Sequence, residues 1–251
     1  MTVVAAPPET GLTFSGTGMT FPDGTVALTG VNLTVGPGEF VAVVGPSGCG
    51  KSTLLRLASG LTKATGGNIA VDRNSLGYVF QDATLLPWRT VKANVELFAE
   101  LHKIGKPERT TLAAEAIKLV GLEGFEKKLP LQLSGGMKMR VSLARSLTMR
   151  PRVFLFDEPF GALDEITRER LQSELLRLYA LEKFAALFIT HSITEAVFLS
   201  NRVAVMSGRP GRIVGEVAVD LPYPRDPDVR FTPEFAQISG QVAHLLRGAH
   251  A

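Results

Sequence analysis

A glycine-rich stretch with a lysine follows a short apolar run in the first quarter of the chain. The run FVAVV, residues 40–44, predicts a fully buried strand, and GPSGCGKS, residues 45–52, fits G-x-x-x-x-G-K-[ST] at every fixed position. Such a loop turns successive backbone N–H groups towards one anion, and the helix that follows adds its positive end. We therefore predict a nucleoside triphosphate site formed by Gly45, Pro46, Ser47, Gly48, Cys49, Gly50, Lys51, Ser52 and Thr53.

An acidic pair follows a second apolar run. Residues 153–156 predict a buried strand that ends in Asp157 and Glu158. A strand-terminal aspartate in a doubly wound sheet is placed to hold Mg²⁺, and the Ser52 hydroxyl is placed to bind the same ion. Glu158 is then free to polarise a water molecule.

Gln81 and His191 also follow predicted strands, residues 76–80 and 185–190. Each residue alone is more often structural than functional. Because parallel strands end at one edge of a sheet, we expect both residues to line that edge together with Asp157. A glutamine placed there can reach a metal-bound water.

The sequence LSGGM, residues 133–137, predicts a second helix start that suits an anion. Ser134 is a favourable cap, and Gly135 and Gly136 follow it. One nucleotide cannot use both helix starts if they lie on different subdomains. The pattern therefore favours two chains arranged head to tail, each capping the phosphate of the other, with a plain helix cap as the alternative.

Three other residues each allow two interpretations. Phe21 either stacks on an adenine or packs in the core. Trp88, the only tryptophan, follows a proline and is either a contact point for a partner or a core anchor. Cys49, the only cysteine, is either a reactive thiolate, favoured by the helix start and the Lys51 ammonium, or an inert buried thiol.

The remaining pattern predicts the elements that position these residues. Two early strands at 12–21 and 30–35 precede the phosphate loop, whose helix is predicted at 53–60. Helices are predicted at 90–104 and at 107–120, the second with Leu112, Ala116, Leu119 and Val120 on one face. Because Lys51 and Asp157 are separated by far more than one βα unit, an inserted helical subdomain is expected at about residues 85–150.

The second half predicts further elements of an α/β fold. A helix at 138–149 precedes the acidic strand, and a helix at 166–182 follows it with Leu171, Leu175 and Leu178 facing the sheet. A short helix at 194–199, a hairpin around residues 208–211 and a closing helix at 233–246 complete the pattern.

The length and composition of the chain exclude several classes of protein. The 251 residues suffice for one large domain, and a formal charge of +3 without a basic run does not indicate nucleic acid. One cysteine excludes an internal disulfide, and no apolar stretch approaches a membrane span. Residues 1–10 are expected to be a disordered leader without signal-peptide features. A hydrophobic content of 45% with a mean hydropathy of +0.17 suggests that some surface contacts a partner.

Taken together, these motifs resemble the ATP-binding subunit of an ABC transporter over nearly all of residues 12–247. The phosphate loop, Gln81, LSGGM, Asp157-Glu158, ALD at 162–164 and His191 occur in the order and spacing of that family. The stretches FQDATLLPW, DEPFGALDEITRERLQ, SGRPGRIV and DLPYPRD are similar to the branch that imports nitrate, sulfonate and taurine. Met137 and Met139 depart from the family pattern, which usually has glutamine there.

The resemblance implies a RecA-like P-loop NTPase sheet with an N-terminal antiparallel β region, an inserted helical subdomain, and a C-terminal hairpin and helix at about 203–247. It also implies an ATPase in which Ser52, Gln81 and Asp157 organise Mg²⁺. Glu158 would be the general base, and His191 would contact the γ-phosphate. Ser134, Gly135 and Gly136 would act on the ATP of a second copy.

The same resemblance implies partners and a location. The chain would lie at the cytoplasmic face of the plasma membrane and drive two membrane permease subunits, supplied by an extracytoplasmic solute-binding protein. The solute would be nitrate, a sulfonate or taurine, with bicarbonate, a pyrimidine or a vitamin precursor as alternatives. ATP and Mg²⁺ would be its cofactors, and nucleic acid would not be a partner.

Two other classes share part of this pattern. ATPases of DNA repair and chromosome organisation use the same head, but they carry long coiled-coil insertions, and no heptad run occurs here. Small-molecule kinases share the phosphate loop, but a kinase explains neither LSGGM nor a glutamate directly after the strand aspartate.

Overall fold

The computed structural model describes residues 11–161 and 163–249, so the predicted leader and Ala162 lie outside the described residues. The strands within these ranges are β1 (Leu12–Thr20), β2 (Val26–Val35), β3 (Phe40–Val44), β4 (Gly66–Val71), β5 (Leu76–Val79), β6 (Val153–Asp157), β7 (Ala185–Ile189), β8 (Arg202–Met206) and β9 (Ile213–Ala218). The helices within them are α1 (Lys51–Ser59), α2 (Val91–Val95), α3 (Leu97–Leu101), α4 (Lys106–Leu119), α5 (Gly135–Leu147), α6 (Glu165–Glu182), α7 (Ile193–Leu199) and α8 (Pro233–Gly248).

Two sheets organise the described residues. The larger has the strand order β5-β6-β7-β3-β8-β9, with all neighbours parallel except β8 and β9. The smaller is antiparallel with the order β2-β1-β4. The predicted α/β fold with an N-terminal antiparallel region is confirmed.

The central strands are apolar along their whole length because helices or the second sheet cover both faces. All five residues of β3 are buried, as are all five of β7. Along β3, Phe40, Ala42 and Val44 pack into one core cluster, while Val41 and Val43 pack into the other. The parallel sheet therefore separates two cores, and its strand ends form a rigid edge for a site.

The helices between β5 and β6 differ from the predicted ones in two details. The predicted helix at 90–104 is the pair α2 and α3, and it ends early because Lys103 adopts a left-handed φ of 59°. On α4 the buried residues are Ala113, Ala116 and Ile117, whereas the predicted Leu112 and Leu119 are only half-buried. The predicted Ala116 and Val120 are buried, so the predicted face packs in part, and the buried surface extends to Ala113 and Ile117.

The C-terminal third follows its predicted order. Leu171, Leu175 and Leu178 of α6 are buried, as predicted. β8 and β9 form the predicted antiparallel hairpin. Within the described residues, no helix is both long and apolar enough to cross a membrane.

Candidate functional site

The glycine-rich loop joins the buried end of β3 to the start of α1. Gly50 precedes the helix with a φ of 106°, which lies in the left-handed region that favours glycine. The Lys51 ammonium is buried, and its Nζ donates to the carbonyl oxygens of Gly45 at 2.8 Å and Pro46 at 2.9 Å. The Lys51 ammonium therefore lies inside the loop, beside the N–H groups at the start of α1.

An open cleft of about 240 Å³ borders this loop. Residues from five parts of the chain line it: Phe21, Ala27, Ser47, Gly48, Gly50, Lys51, Ser52, Thr53, Glu158 and Arg209. The structure thus brings the predicted aromatic residue, most of the predicted loop and the predicted general base to one cleft. A larger groove of about 560 Å³, near Phe154 and Lys183, contains none of the predicted site residues.

Two oxygen ligands suitable for Mg²⁺ lie side by side at the end of β6. Ser52 Oγ donates to Asp157 Oδ1 at 2.9 Å, and Tyr78 Oη donates to Asp157 Oδ2 at 3.3 Å. Burial is the main cause that raises the pKa of Tyr78, and the Asp157 charge adds to it. Mg²⁺ usually binds one or two protein oxygens together with phosphates and water. Ser52 and Asp157 therefore fit a Mg²⁺ ion bound with a nucleotide.

Gln81 lies at the same sheet edge but outside the cleft. It comes two residues after the end of β5 at Val79 and is exposed. Its Nε2 lies beside Gly161, 3.7 Å from where a methyl group on that residue would be. Among the described residues, no hydrogen bond joins Gln81 to Ser52 or Asp157. Its predicted part in metal binding stays a prediction.

Glu158 and His191 form a pair in front of neighbouring strand ends. His191 Nδ1 lies 3.0 Å from Glu158 Oε2, with the two side chains 65% and 23% exposed. In the imidazole tautomer that carries its proton at Nδ1, His191 donates this hydrogen bond to the carboxylate. Glu158 has a left-handed φ of 45°, which costs about 1–3 kcal/mol and is held by its N–H donating to Ile189 O at 3.0 Å. The carboxylate is therefore aimed by backbone and side-chain contacts together.

A buried carboxyl supports the segment that carries His191. Glu195 Oε2 accepts from Thr190 Oγ1 at 2.5 Å, and Thr190 Oγ1 accepts from the N–H of Ser192 at 3.0 Å. Glu195 Oε1 accepts from Gln172 Nε2 at 3.2 Å. Burial raises the pKa of Glu195, against the Thr190 hydrogen bond and nearby positive charge, which lower it. The residues on both sides of His191 are thus tied to α6 and α7.

The sign of this pKa shift gives a testable dependence of stability on pH. Because the folded pKa of Glu195 lies above the reference value of 4.5, its contribution to stability is fully present at low pH and declines as pH rises through the folded pKa. The free energy of unfolding in urea should therefore fall, relative to that of Glu195→Gln, as pH increases from about 4.5. A difference between the two proteins that is independent of pH would contradict the shift. Glu234→Gln, at an exposed glutamate of α8, controls for the loss of one charge.

The second predicted helix start lies apart from the cleft. Ser134 Oγ accepts from Met137 N at 3.3 Å and caps α5, and Gly135 is exposed. Gly136 packs on α6, where a methyl group on it would lie 2.5 Å from Thr167 Cγ2. None of Ser134, Gly135 and Gly136 lines the cleft beside the phosphate loop. Within one chain, the two helix starts therefore do not meet at one phosphate position.

Burial distinguishes between the two interpretations of Trp88 and of Cys49, but not between those of Phe21. Phe21 is half-buried against the core and also lines the cleft, so both of its interpretations agree with its position. Trp88 is 74% exposed, so the core-anchor interpretation is wrong. Cys49 is 1% exposed and packs into a core cluster, with Sγ 3.9 Å from Lys51 Nζ. The predicted reactive thiol is therefore not accessible, and the structure favours the inert interpretation.

The sequence interpretation missed two residues of the site. Tyr78 lies on β5, and its hydroxyl reaches Asp157 on the neighbouring strand. Arg209 lies in the β8–β9 hairpin, and its Nη2 donates to Gly48 O at 3.1 Å. The RPGR sequence of that turn was the available signal, but nothing in the sequence places it beside a loop 161 residues away.

Comparison with known proteins agrees with this geometry. A protein-family model described as ABC transporter matches residues 28–161. An uncharacterised ABC transporter ATP-binding protein of Methanocaldococcus jannaschii is 48% identical over 88% of this chain and 84% of its own length. The nitrate import ATP-binding protein NrtD of Synechocystis is 44% identical over 89% of both chains. The aliphatic sulfonates import ATP-binding protein SsuB of Bacillus licheniformis is 43% identical over 87% of this chain and 86% of its own.

Solved structures of ABC ATP-binding proteins have a similar fold. The structure of cbiO1 from Clostridium perfringens, part of an ABC transporter complex, matches with a TM-score of 0.78 and 27% identity over 94% of this chain and 98% of its own. A dimeric ATP-binding cassette in a post-hydrolysis state, bound to ADP and Pi, matches with a TM-score of 0.74 and 32% identity over 84% of this chain and 100% of its own. The predicted fold class and the predicted resemblance to the nitrate and sulfonate branch are confirmed.

Proposed function

We propose that this chain energises the uptake of a small anionic solute through separate membrane permease subunits. The premise is that the chain belongs to the ABC transporter family, as an ATP-binding subunit that hydrolyses ATP. The observation that carries the hydrolytic part is the cleft in which Lys51, the Ser52–Asp157 pair and Glu158 meet. The choice of solute rests on the relatives named for import of nitrate and aliphatic sulfonates. Bicarbonate, a pyrimidine or a vitamin precursor are the alternative solutes.

The proposed reaction uses the described side chains in distinct roles. The loop N–H groups hold the phosphates and Lys51 places its charge at the β- and γ-phosphates, while Ser52 and Asp157, with Gln81, would hold Mg²⁺. When bound there, the ion would neutralise part of the negative charge on the phosphates. Glu158 accepts a proton from water as the water oxygen bonds to the γ-phosphorus. The bond between that phosphorus and the β-phosphate oxygen breaks, which leaves ADP and phosphate.

Two further contacts complete the proposed site. His191 orients the Glu158 carboxylate through the 3.0 Å hydrogen bond and contacts the γ-phosphate. Phe21 stacks on the adenine at the mouth of the cleft. Ser134, Gly135 and Gly136 cap the γ-phosphate of a second copy in a head-to-tail dimer. The position of α5 apart from the cleft supports this role in trans.

The proposed assembly places the chain at the cytoplasmic face of the plasma membrane, bound to two permease subunits that a solute-binding protein supplies. The functional domain spans about residues 12–247, with the inserted helical subdomain at about 85–150 and the C-terminal hairpin and helix at about 203–247. Hydrolysis would reset a closed dimer and so couple ATP to alternating access.

An exposed tryptophan in a rigid loop is the proposed contact with the permease. Asn94, which is fully buried, accepts from Leu86 N at 2.8 Å and donates to the carbonyl oxygens of Leu86 at 3.1 Å and Arg89 at 2.9 Å. Arg89 also pairs with Glu100 at 2.8 Å. These contacts hold the loop and present Trp88 to solvent. Exposed tryptophans are frequent hot spots of protein interfaces, since one side chain buries a large apolar area.

Replacing Trp88 by Ala should weaken association with the permease while leaving basal ATP hydrolysis intact. We expect at least about a tenfold loss of affinity, because truncation of a hot-spot tryptophan costs about 2 kcal/mol or more and about 1.4 kcal/mol corresponds to tenfold. The measurement is co-purification of the tagged chain from detergent-solubilised membranes of its own cells, followed by mass spectrometry and ATPase assay. Phe231→Ala, at another exposed aromatic residue outside this loop, is the matched control.

The same experiment tests the proposed function as a whole. Recovery of polytopic membrane proteins with the wild-type chain, and solute-dependent stimulation of its ATPase by nitrate or an alkyl sulfonate, would support it. Co-purification with DNA or with soluble proteins alone would favour an ABC ATPase outside transport. Equal recovery of the permease by the wild-type and Trp88→Ala chains would remove Trp88 from the contact.

A further inference from the structure

The turn of the β8–β9 hairpin is anchored to the elements that form the nucleotide cleft. Gly211 N donates to Ala27 O at 2.9 Å, and Thr29 N donates to Gly211 O at 3.0 Å. These two bonds join the hairpin to β2. Within the turn, Ser207 Oγ donates to Pro210 O at 3.2 Å and accepts from Arg212 N at 3.2 Å. The backbone around Arg209 is therefore held on both sides.

The same turn also packs directly on the phosphate loop. A methyl group on Gly211 would overlap the carbonyl oxygen of Cys49, so only a residue without a side chain fits at this point. This close approach fixes the distance between the hairpin and the loop. The backbone from which the exposed Arg209 side chain extends thus keeps a defined position relative to the phosphate loop.

The Arg209 side chain contacts the phosphate loop. Its Nη2 donates to Gly48 O at 3.1 Å, and the residue lines the cleft together with Phe21 and the phosphate loop. Its charge also reaches the β1–β2 turn, where it is a minor cause, after hydrogen bonds from Thr25, of the lowered pKa of Asp23. Among the described residues, no carboxylate lies within 4.0 Å of its nitrogens. A guanidinium has five N–H donors, so most of them remain to bind a ligand.

We propose that Arg209 binds the nucleotide, with its guanidinium on the α-phosphate. The loop N–H groups cradle the α- and β-phosphates, and Lys51 reaches the β- and γ-phosphates. The α-phosphate is the anionic group between those phosphates and the base that Phe21 is proposed to stack on. Arg209 lines the same cleft and would add a side-chain contact to the loop N–H groups at that phosphate. An arginine prefers a phosphate oxygen there because the pair is charge-assisted and can be bidentate. The proposal rests on ATP hydrolysis by this family and not on the transported solute.

The position of this contact determines its kinetic signature. The α-phosphate does not change its bonding when the γ-phosphate is cleaved, so Arg209 binds the ground state and the transition state equally. Loss of such uniform binding raises KM without lowering kcat. ATP and ADP share the α-phosphate, so both should lose affinity by the same factor.

The test compares Arg209→Ala, Arg209→Lys and the control Arg212→Ala, an exposed arginine of the same turn that does not line the cleft. For Arg209→Ala we expect the KM for MgATP and the Kd for ADP both to rise about tenfold, because this is the effect of losing one charge-assisted hydrogen bond. The Kd for ADP is measured by calorimetry. Arg209→Lys should give an intermediate rise, because lysine keeps the charge but not the fork. Arg212→Ala should leave the affinity for ADP near that of the wild type.

Three results would overturn the proposal. Unchanged Kd for ADP in Arg209→Ala would show that the side chain does not bind nucleotide. An equal loss in Arg212→Ala would assign the effect to the overall charge of the turn. A fall in kcat at saturating MgATP with unchanged Kd for ADP would mean that Arg209 shapes the phosphate loop through Gly48 instead. Thermal unfolding of each variant confirms that it is folded, and Arg209→Lys keeps the test valid if Arg209→Ala is unstable.

Discussion

Replacing Glu158 by Gln is expected to lower ATP turnover by about 10²–10⁴-fold, which is the usual contribution of a positioned general base. Glutamine has the shape of glutamate but accepts a proton far less readily. The affinity for MgATP should remain, because the phosphate contacts come from Lys51 and the loop. The variant should therefore accumulate as an ATP-bound dimer, which size-exclusion chromatography with MgATP would detect.

A matched control for this experiment is Glu182→Gln, which removes the same charge at an exposed position at the end of α6. Its turnover should be close to that of the wild type. Near-normal turnover of the Glu158→Gln protein would remove Glu158 from the role of base. Turnover that is lost together with MgATP binding would instead indicate that the substitution disturbs the cleft.

Mixing two inactive chains should restore part of the ATPase activity. Lys51→Ala removes the phosphate-binding charge, and Ser134→Arg blocks the helix start that is proposed to cap the phosphate of the partner. Each variant alone should lose nearly all activity. In a mixed head-to-tail dimer both defects fall in one composite site, and the other site is intact. About half the dimers are mixed and carry one good site of two, so at most about a quarter of wild-type activity should return.

The measurement is ATPase activity as a function of the ratio of the two chains, with the dimer population followed by light scattering. Activity that peaks at equal amounts of both chains would support sites shared between copies. Full activity of a demonstrably monomeric wild-type chain would exclude the role of Ser134 in trans. If mixed dimers form and stay inactive, either one intact site does not suffice for activity or Ser134 acts elsewhere. A covalently linked dimer in which only one half carries Ser134→Arg separates these two explanations.

The phosphate loop and the acidic strand end were predictable because their chemistry is local. A buried strand, a glycine-rich turn and a helix start are contiguous in residues 40–59, so the pattern alone predicts where the N–H groups and Lys51 point. Asp157 and Glu158 follow a strand in the same way. The order of the strands was not needed to recognise either motif.

Errors arose where a prediction depended on packing between elements. On α4, Ala113 and Ile117 are buried in addition to the predicted Ala116 and Val120, while the predicted Leu112 and Leu119 are half-buried, and α2 and α5 are among the elements that pack on this helix. The helix start at Cys49 suggested a reactive thiol, yet the side chain turns into the core. The direction of a side chain at such positions depends on the elements that pack around the backbone, and the local sequence pattern does not specify those elements.

By itself, the sequence determined the class of this protein: a nucleotide-binding α/β chain with the motifs of an ABC ATPase in their order. Only the tertiary structure decided which residues share the cleft. The order β6-β7-β3-β8 brings Asp157 to Ser52, and the hairpin after β8 brings Arg209 to Gly48. These contacts join residues 105 and 161 positions apart, and they exist because buried parallel strands with crossover connections place distant segments at one sheet edge.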